Sequence, residues 1–210
     1  MSLRHALLAV LTAEPMTGYD LIKYFDGTVA TFWSAPHSQI YPELRRMEEA
    51  RLITAEVASR GERAQKRVYS ITEDGVKALE NWLSDVEVAN PGRDAIRLRA
   101  AHFEFSSYAV ARRQLTEHLA MYEERLGRLQ RMLGDLDDRT VPLLRRRLEQ
   151  RPADEHEAII AFKKFAFSGQ IAQAEAEISW AQQGLAMLDD LEARRIPLWG
   201  SDSDAASAGH

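Results

Sequence analysis

Two short stretches in the first third of the chain carry side chains suited to binding nucleic acid. Arginine and glutamine present paired hydrogen-bonding groups that match base edges in the major groove, and arginine, lysine and tyrosine contact phosphates. The first stretch holds Ser38, Gln39, Tyr41, Pro42, Arg45 and Arg46, and the second holds Arg60, Arg63, Lys66 and Arg67. Whether these side chains act together depends on the elements that position them.

The first stretch lies on a predicted helix over about residues 38–51. At 100° per residue, Leu44 and Met47 fall within about 40° of Ile40 and form an apolar face. The opposite face holds Ser38, Pro42, Arg45 and Glu49, with Gln39 and Arg46 to one side and Tyr41 to the other. Ser38, Gln39 and one of the two arginines are candidates for base edges, and Tyr41 and Arg46 are candidates for phosphates.

Pro42 restricts where this helix begins, because proline has no N–H to donate. Either the helix starts close to Gln39, or it gives up one backbone hydrogen bond. A start at Gln39 would direct free N–H groups and the positive end of the helix dipole toward an anion such as a phosphate.

A solvated amphipathic helix would show the same pattern, since Glu43, Glu48 and Glu49 offer partners for the two arginines within the helix. The second stretch favours nucleic-acid binding over that alternative. Residues 58–69 combine four basic side chains with one acidic side chain, a net charge of +3, around Gly61. A basic hairpin beside such a helix indicates a wing that lies along the DNA backbone.

The first 85 residues contain, in order, three helices, a two-stranded hairpin and a fourth helix. Apolar residues recur at helical spacing over residues 3–13, and Thr17 is a candidate N-cap for a second helix that ends near Gly27. Strand patterns follow over residues 52–57 and 67–71, and Thr72 opens the fourth helix. This order predicts a winged helix-turn-helix domain over residues 1–88 of a mainly α protein.

Beyond Asn90-Pro91-Gly92, helical patterns predict a long-helix dimerisation domain over residues 89–197. Apolar residues step alternately by four and three over residues 115–136 and 167–188, the a/d spacing of a coiled coil. A hairpin of two such helices has little apolar surface to close around, so we infer that a second copy of the chain completes the packing. The predicted interface residues are Leu119, Leu126, Phe167, Ile171, Ile178 and Leu185. Residues 198–210 have the composition of a disordered tail.

Composition excludes several classes of protein. The 210 residues contain no cysteine, carry a net charge of −5 and are 28% charged, with no apolar run long enough for a membrane span. Together with an N-terminus that lacks a signal-peptide pattern, this predicts a cytoplasmic protein without disulfides. Catalytic motifs are absent, and His102, His118 and His156 lack a partner at metal-ligand spacing, so we expect neither an enzyme nor a metal or other cofactor.

A helical adaptor whose winged helix has lost DNA binding is the alternative function. The first 85 residues favour it by their overall charge, since they hold ten basic and twelve acidic side chains. The placement of the basic side chains decides between the two functions, because DNA affinity depends on phosphates that are neutralised locally.

Several motifs resemble those of the PadR family of transcriptional regulators. They are Pro15-Met16-Thr17-Gly18-Tyr19-Asp20-Leu21, Phe32-Trp33, Gln39-Ile40-Tyr41-Pro42-Glu43-Leu44, Leu52-Ile53 and Arg67-Val68-Tyr69-Ser70-Ile71-Thr72. The C-terminal half resembles the helical domain of the family's virulence-activator branch, mainly in length and helical pattern. The chain departs from the family at Ala50-Arg51, where relatives often have glycine before the Leu-Ile pair.

The resemblance implies a homodimer whose C-terminal helices form the interface and whose two winged helices bind a pseudo-palindromic operator. It also implies that Tyr41 lies at the front of the recognition helix, that Arg67 lies in the second strand of the wing, and that Thr17-Gly18-Tyr19 contact the DNA backbone. The expected function is that of a sequence-specific regulator, a repressor that binds an inverted repeat in double-stranded DNA. A small-molecule effector is a further expected partner, because some relatives sense phenolic or planar molecules.

Overall fold

The computed structural model describes residues 3–27, 37–59, 65–85 and 94–199. Its helices within these ranges are α1 (Leu3–Leu11), α2 (Gly18–Gly27), α3 (His37–Glu49), α4 (Glu73–Ser84), α5 (Ala95–Ala100), α6 (Tyr108–Asp137), α7 (Pro142–Glu149) and α8 (His156–Ala193). Its strands are β1 (Met16–Thr17), β2 (Ile53–Ser59) and β3 (Gln65–Ile71). The described residues are mainly helical, as predicted, and residues 200–210 of the predicted tail lie outside them.

The chain forms two compact units. One unit combines residues 1–88 with residues 138–159, and the other combines residues 89–137 with residues 160–210. In the first unit, α1, α2, α3 and the sheet share one apolar core, in which Leu7, Leu21, Ile40, Leu44 and Ile53 are at most 1% exposed. The winged helix-turn-helix expected from the order of elements is confirmed.

The sheet of the first unit has three antiparallel strands in the order β1-β3-β2. Met16 lies opposite Tyr69, and Ile53 lies opposite Ile71. The sequence pattern missed β1, because two residues are too short to show an alternation and their extended conformation depends on pairing with β3. Because Thr17 of β1 immediately precedes α2 and lies opposite Val68, β1 joins strand β3 of the wing to the start of α2.

Helix α7 packs in the first unit, although its position in the sequence had placed it in the second domain. Leu143 is 9% exposed and belongs to the same core as α1 and α3. The Arg147 guanidinium donates to the Ala9 carbonyl oxygen at 2.7 Å and to the Thr12 hydroxyl oxygen at 2.6 Å. Burial lowers the pKa of Arg147 below the usual arginine value. These contacts satisfy groups at the C-terminal end of α1, where helix carbonyls lack partners within the helix.

Helix α3 ends in a Schellman turn with arginine at the position that usually holds glycine. The Leu52 N–H donates to the Met47 carbonyl oxygen and the Arg51 N–H to the Glu48 carbonyl oxygen, both at 2.9 Å. Arg51 has a φ of 59°, a left-handed conformation that costs a residue with a Cβ roughly 1–2 kcal/mol. The turn after α3 is therefore retained at the Ala50-Arg51 departure, with a strained backbone.

We expect Arg51→Gly to raise the free energy of unfolding by about 1 kcal/mol, because glycine adopts this φ without the Cβ penalty. Urea unfolding followed by circular dichroism measures the change. Arg51→Ala is the control, because it removes the same charge but keeps the Cβ, and it should not stabilise the protein. Equal stabilities of the two variants would contradict the proposed strain.

The second unit contains α5, α6 and most of α8. Side-chain contacts show that α6 and α8 run antiparallel, since residues early in α6 pair with residues late in α8. The pairs are Arg112–Asp189, His118–Glu177, Arg125–Gln170 and Asp137–Lys164. Each long helix therefore has a partner helix in the same chain.

Candidate nucleic-acid interface

Helix α3 has one buried face and one exposed face. Ile40, Leu44 and Met47 are 0% exposed, as their spacing predicted. The six predicted site residues on this helix are all exposed: Ser38, Gln39, Tyr41, Pro42, Arg45 and Arg46. The helix begins at His37, so Pro42 lies in its second turn, and the helix gives up the backbone bond that residue 42 would otherwise donate.

Tyr41 lies against the first residue of α2. A Cβ added to Gly18 would be 2.5 Å from Tyr41 Cε1, so a larger residue there would displace the ring. Thr17 caps α2: its hydroxyl accepts from the Asp20 N–H at 3.1 Å and donates to the Asp20 carboxylate at 2.7 Å. Tyr19, in the first turn, is 67% exposed. The structure thus brings Thr17, Gly18 and Tyr19 to the front of α3, where Tyr41 lies.

Two carboxylates on α3 pair with nearby arginines. Glu43 accepts from Arg4 Nε at 2.9 Å and from Arg46 at 3.1 Å. Glu48 accepts from one guanidinium nitrogen of Arg67 at 2.6 and 2.8 Å. The pair formed by Glu43 and Arg46 was visible from their helical spacing. The other two join different elements, so no local spacing indicates them.

The described part of the wing carries two of its four predicted site residues, because Arg60 and Arg63 lie outside the described residues. Lys66 and Arg67 lie on β3 and are exposed. Lys66 and Arg45 make no ion pair with any residue that the structure describes. Among the described site residues of α3 and the wing, Arg45 and Lys66 therefore lack a paired carboxylate, whereas Arg67 is paired with Glu48 and Arg46 shares Glu43 with Arg4.

Of the predicted dimer-interface residues, Leu185 packs against the buried residues Ala111, Leu115 and Leu188 of α6 and α8. Phe167 is 3% exposed, and the others are half-buried: Leu119, Leu126, Ile171, Ile178 and Leu185. At Phe167 and Leu185 the a/d positions are therefore covered, wholly or in part, within the chain. A contribution of these side chains to contacts between chains stays a prediction, and Phe167 has little surface left to contribute.

Over residues 158–187, the face of α8 opposite Phe167 is exposed and uncharged. This outer face of α8 consists of Phe162, Phe165, Gly169, Ala172, Ala176, Ser179, Gln183 and Met187. Phe162 is 75% exposed and Phe165 is 77% exposed. Between residues 158 and 187, all of which the structure describes, no charged residue falls within about 60° of the direction of Phe165. That absence of charge was visible in the sequence.

Glu177 joins three helices of the second unit and was also missed. It is 9% exposed, accepts from Arg97 at 3.0 Å and lies 3.0 Å from Nε2 of His118. Arg97 also lies over the Trp180 ring, 4.7 Å from its centroid. His118 had no partner at helical spacing because its carboxylate is 59 residues away. The cluster holds α5 and α6 against α8, which is a structural role.

A groove of about 480 Å³ lies between α7 and the start of α2 in the first unit. Its lining residues are Glu14, Pro15, Met16, Asp20, Lys23, Tyr24, Pro142, Leu143 and Arg146. Arg146 is paired with Glu14, whereas Lys23 makes no ion pair with any described residue. The volume lies in the range typical of small-molecule sites.

The described ranges contain neither a candidate metal site nor a candidate membrane span. No group of three histidine, aspartate or glutamate side chains there is arranged to hold a metal ion. No helix among the described residues combines the length and apolar character needed to cross a membrane.

The exposed α3 on a helical core, followed by a two-stranded wing, defines a winged helix-turn-helix protein. Comparisons with known proteins identify its family. The chain matches the Transcriptional regulator PadR-like family over residues 7–81. It is 30% identical over 135 residues to the Negative transcriptional regulator PadR of Bacillus subtilis (strain 168), which covers 64% of this chain and 70% of that relative. The chain belongs to the PadR-like family of transcriptional regulators, as the motifs indicated.

Solved structures are similar over most of the chain. Bacillus subtilis PadR in complex with operator DNA has a TM-score of 0.68 at 26% identity and covers 89% of this chain and 98% of that chain. The same regulator in complex with p-coumaric acid has a TM-score of 0.65 with equal coverage. The Vibrio cholerae virulence activator AphA has a TM-score of 0.65 at 25% identity, covering 90% of this chain and 99% of that chain.

Proposed function

We propose that this protein is a cytoplasmic, sequence-specific DNA-binding repressor that acts as a homodimer on an inverted-repeat operator. The observation that carries the proposal is the exposed face of α3. Gln39 and Arg45 are exposed there and make no side-chain hydrogen bond or ion pair with other described residues, while the opposite side of the helix is buried. Family membership supports the proposal, since the related Bacillus subtilis PadR has been solved with operator DNA.

The positions around α3 support distinct roles for its side chains. Arg45 carries paired donors, and Gln39 carries a donor beside an acceptor; both arrangements are suited to base edges in the major groove. Tyr41, held against Gly18, and Lys66 on β3 are suited to phosphates on either side of the groove. The Thr17 hydroxyl caps α2 and is bonded to Asp20. Its role is therefore to position the exposed Tyr19 and the N-terminus of α2, which contact the DNA backbone.

The outer face of α8 is the surface we assign to the homodimer. A long helix that is uncharged on a solvent-exposed face is typical of one buried against a partner. The two phenylalanines supply apolar area, and Gly169, Ala172 and Ala176 allow a second helix to approach closely. A symmetric dimer presents two copies of α3, so the half-sites should lie about 34 Å apart or a multiple of that distance.

In this proposal the dimer represses by occupying the operator, which requires no catalytic group. A small-molecule effector stays a prediction of the sequence analysis. The groove between α7 and α2 has room for one, and Lys23 in its lining makes no ion pair with a described residue and is available to an anionic group. Its position beside the start of α2 supports an effect on DNA binding.

Arg45→Ala should weaken binding to the operator by about 1–3 kcal/mol, because the substitution removes a base or phosphate contact of the wild-type surface. The probe is a fluorescent duplex selected from a random library by the wild-type protein, and binding is titrated at several salt concentrations. Arg46→Ala is the matched control, since Arg46 is its neighbour on α3 and is already paired with Glu43. It should have a clearly smaller effect.

Equal affinities of wild type and Arg45→Ala for the selected duplex would overturn the assignment of this face. Failure of the wild-type protein to select any duplex would favour the adaptor function instead. Both variants should remain folded, because both side chains are exposed and neither belongs to the core. Circular dichroism of each variant checks that its helix content is unchanged.

A further inference from the structure

Glu48 places a carboxylate within the surface that the proposed function assigns to DNA. It lies on α3 and accepts both of its hydrogen bonds from one nitrogen of Arg67, at 2.6 and 2.8 Å. Arg67 lies on β3 opposite Val57 of β2, so the ion pair connects the recognition helix to the wing. Arg67 is 48% exposed and Glu48 is 32% exposed, so DNA can reach both groups.

This pair changes the charge that an approaching phosphate meets. In the protein without DNA, the positive charge of Arg67 is compensated by Glu48. A phosphate that binds Arg67 must therefore either displace the Glu48 carboxylate or bind beside it against electrostatic repulsion. No such competition exists at Lys66, the neighbouring residue on β3, which makes no ion pair with described residues. Two adjacent basic residues of the wing therefore differ in their availability to DNA.

We propose that Glu48 is an internal counter-ion for Arg67 that lowers the affinity of the protein for any DNA duplex, independently of sequence. The inference rests on the proposed DNA-binding surface and adds an affinity-determining residue to it. Each phosphate contact contributes a sequence-independent, salt-dependent term to DNA affinity. By withholding one such contact, Glu48 reduces binding to random sequence, which is the competitor that a repressor meets in excess.

Glu48→Gln tests this proposal in the full-length protein, with a random-sequence duplex as the probe. Release of Arg67 should tighten binding about three- to tenfold at moderate salt and steepen the slope of log affinity against log salt by about 0.9. Glu49→Gln is the matched control, because Glu49 is the next residue on α3, is exposed and makes no ion pair with described residues. It changes the net charge equally and should leave the salt slope unchanged.

The double variant Glu48→Gln/Arg67→Gln separates the ion pair from a general charge effect. If Glu48 acts through Arg67, the Glu48→Gln change should alter neither affinity nor salt slope when it is made in an Arg67→Gln background. Equal effects of Glu48→Gln and Glu49→Gln, or weaker binding by Glu48→Gln, would overturn the proposal. These outcomes leave wild-type DNA binding intact, so they are distinct from failure of the proposed function. An exposed ion pair contributes little to stability, so the variants should remain folded.

Discussion

Phe165→Glu is expected to convert the protein to monomers and to weaken operator binding by about 10²–10⁴-fold. When two winged helices belong to one dimer, binding to the second half-site is an intramolecular step, which raises the affinity for the operator. Separation of the chains removes this gain in affinity. A glutamate at the centre of the outer face of α8 would have to be buried without a partner when the dimer forms, because no positively charged residue lies on that face between residues 158 and 187.

Analytical ultracentrifugation gives the mass of the variant, and titration of a selected operator duplex gives its affinity. Leu98→Glu is the matched control, because Leu98 is 66% exposed on α5 of the same unit and does not belong to the outer face of α8. It should remain dimeric with wild-type affinity. A Phe165→Glu protein that stays dimeric and binds the operator as wild type does would show that the chains associate through another surface.

Gly75→Ala is expected to lower the free energy of unfolding by about 3 kcal/mol, a cost typical of severe overpacking. A Cβ on Gly75 would lie 2.1 Å from the Leu52 carbonyl oxygen and 2.8 Å from Ile71 Cγ1. The carbonyl cannot move freely, because it accepts a hydrogen bond from the Thr72 N–H at 3.1 Å. Thr72 is also the N-cap of α4, and its hydroxyl accepts from the Gly75 N–H at 3.0 Å.

Denaturant unfolding measures this effect, and Gly134→Ala supplies the control. Gly134 lies within α6, and no atom is within 4 Å of a Cβ added there. Alanine at that position should stabilise the helix by up to about 1 kcal/mol. The two substitutions are chemically identical, and they should change the free energy of unfolding in opposite directions. A Gly75→Ala protein as stable as wild type would mean that α4 can shift away from Leu52 without cost.

Helix α3 shows how far the sequence alone specifies a candidate site. Its apolar face is set by residues three and four positions apart, so Ile40, Leu44 and Met47 were identified by periodicity and are buried. The same periodicity placed Gln39 and Arg45 on the exposed side. It did not show that Arg67 is held by Glu48 or that Tyr41 lies on Gly18, because those contacts join residues of different elements.

The C-terminal helices show what the sequence pattern could not predict. Their a/d pattern correctly indicated two long helices with apolar seams, but a seam does not specify which surface covers it. The structure pairs α6 with α8 of the same chain, so Phe167 is buried there and the exposed phenylalanines lie on the opposite face. The position of α7 in the first unit likewise depends on Leu143 and Arg147 reaching a helix more than 130 residues earlier.

Local patterns therefore specify the winged helix, the buried and exposed sides of each helix, and the family motifs. They do so because helical and strand periodicity depend only on residues a few positions apart in the chain. Tertiary structure alone assigns β1 to the sheet, α7 to the first unit, and Arg67 to its carboxylate partner Glu48. Each of those assignments depends on distances between segments remote in sequence, and only the folded chain brings such segments together.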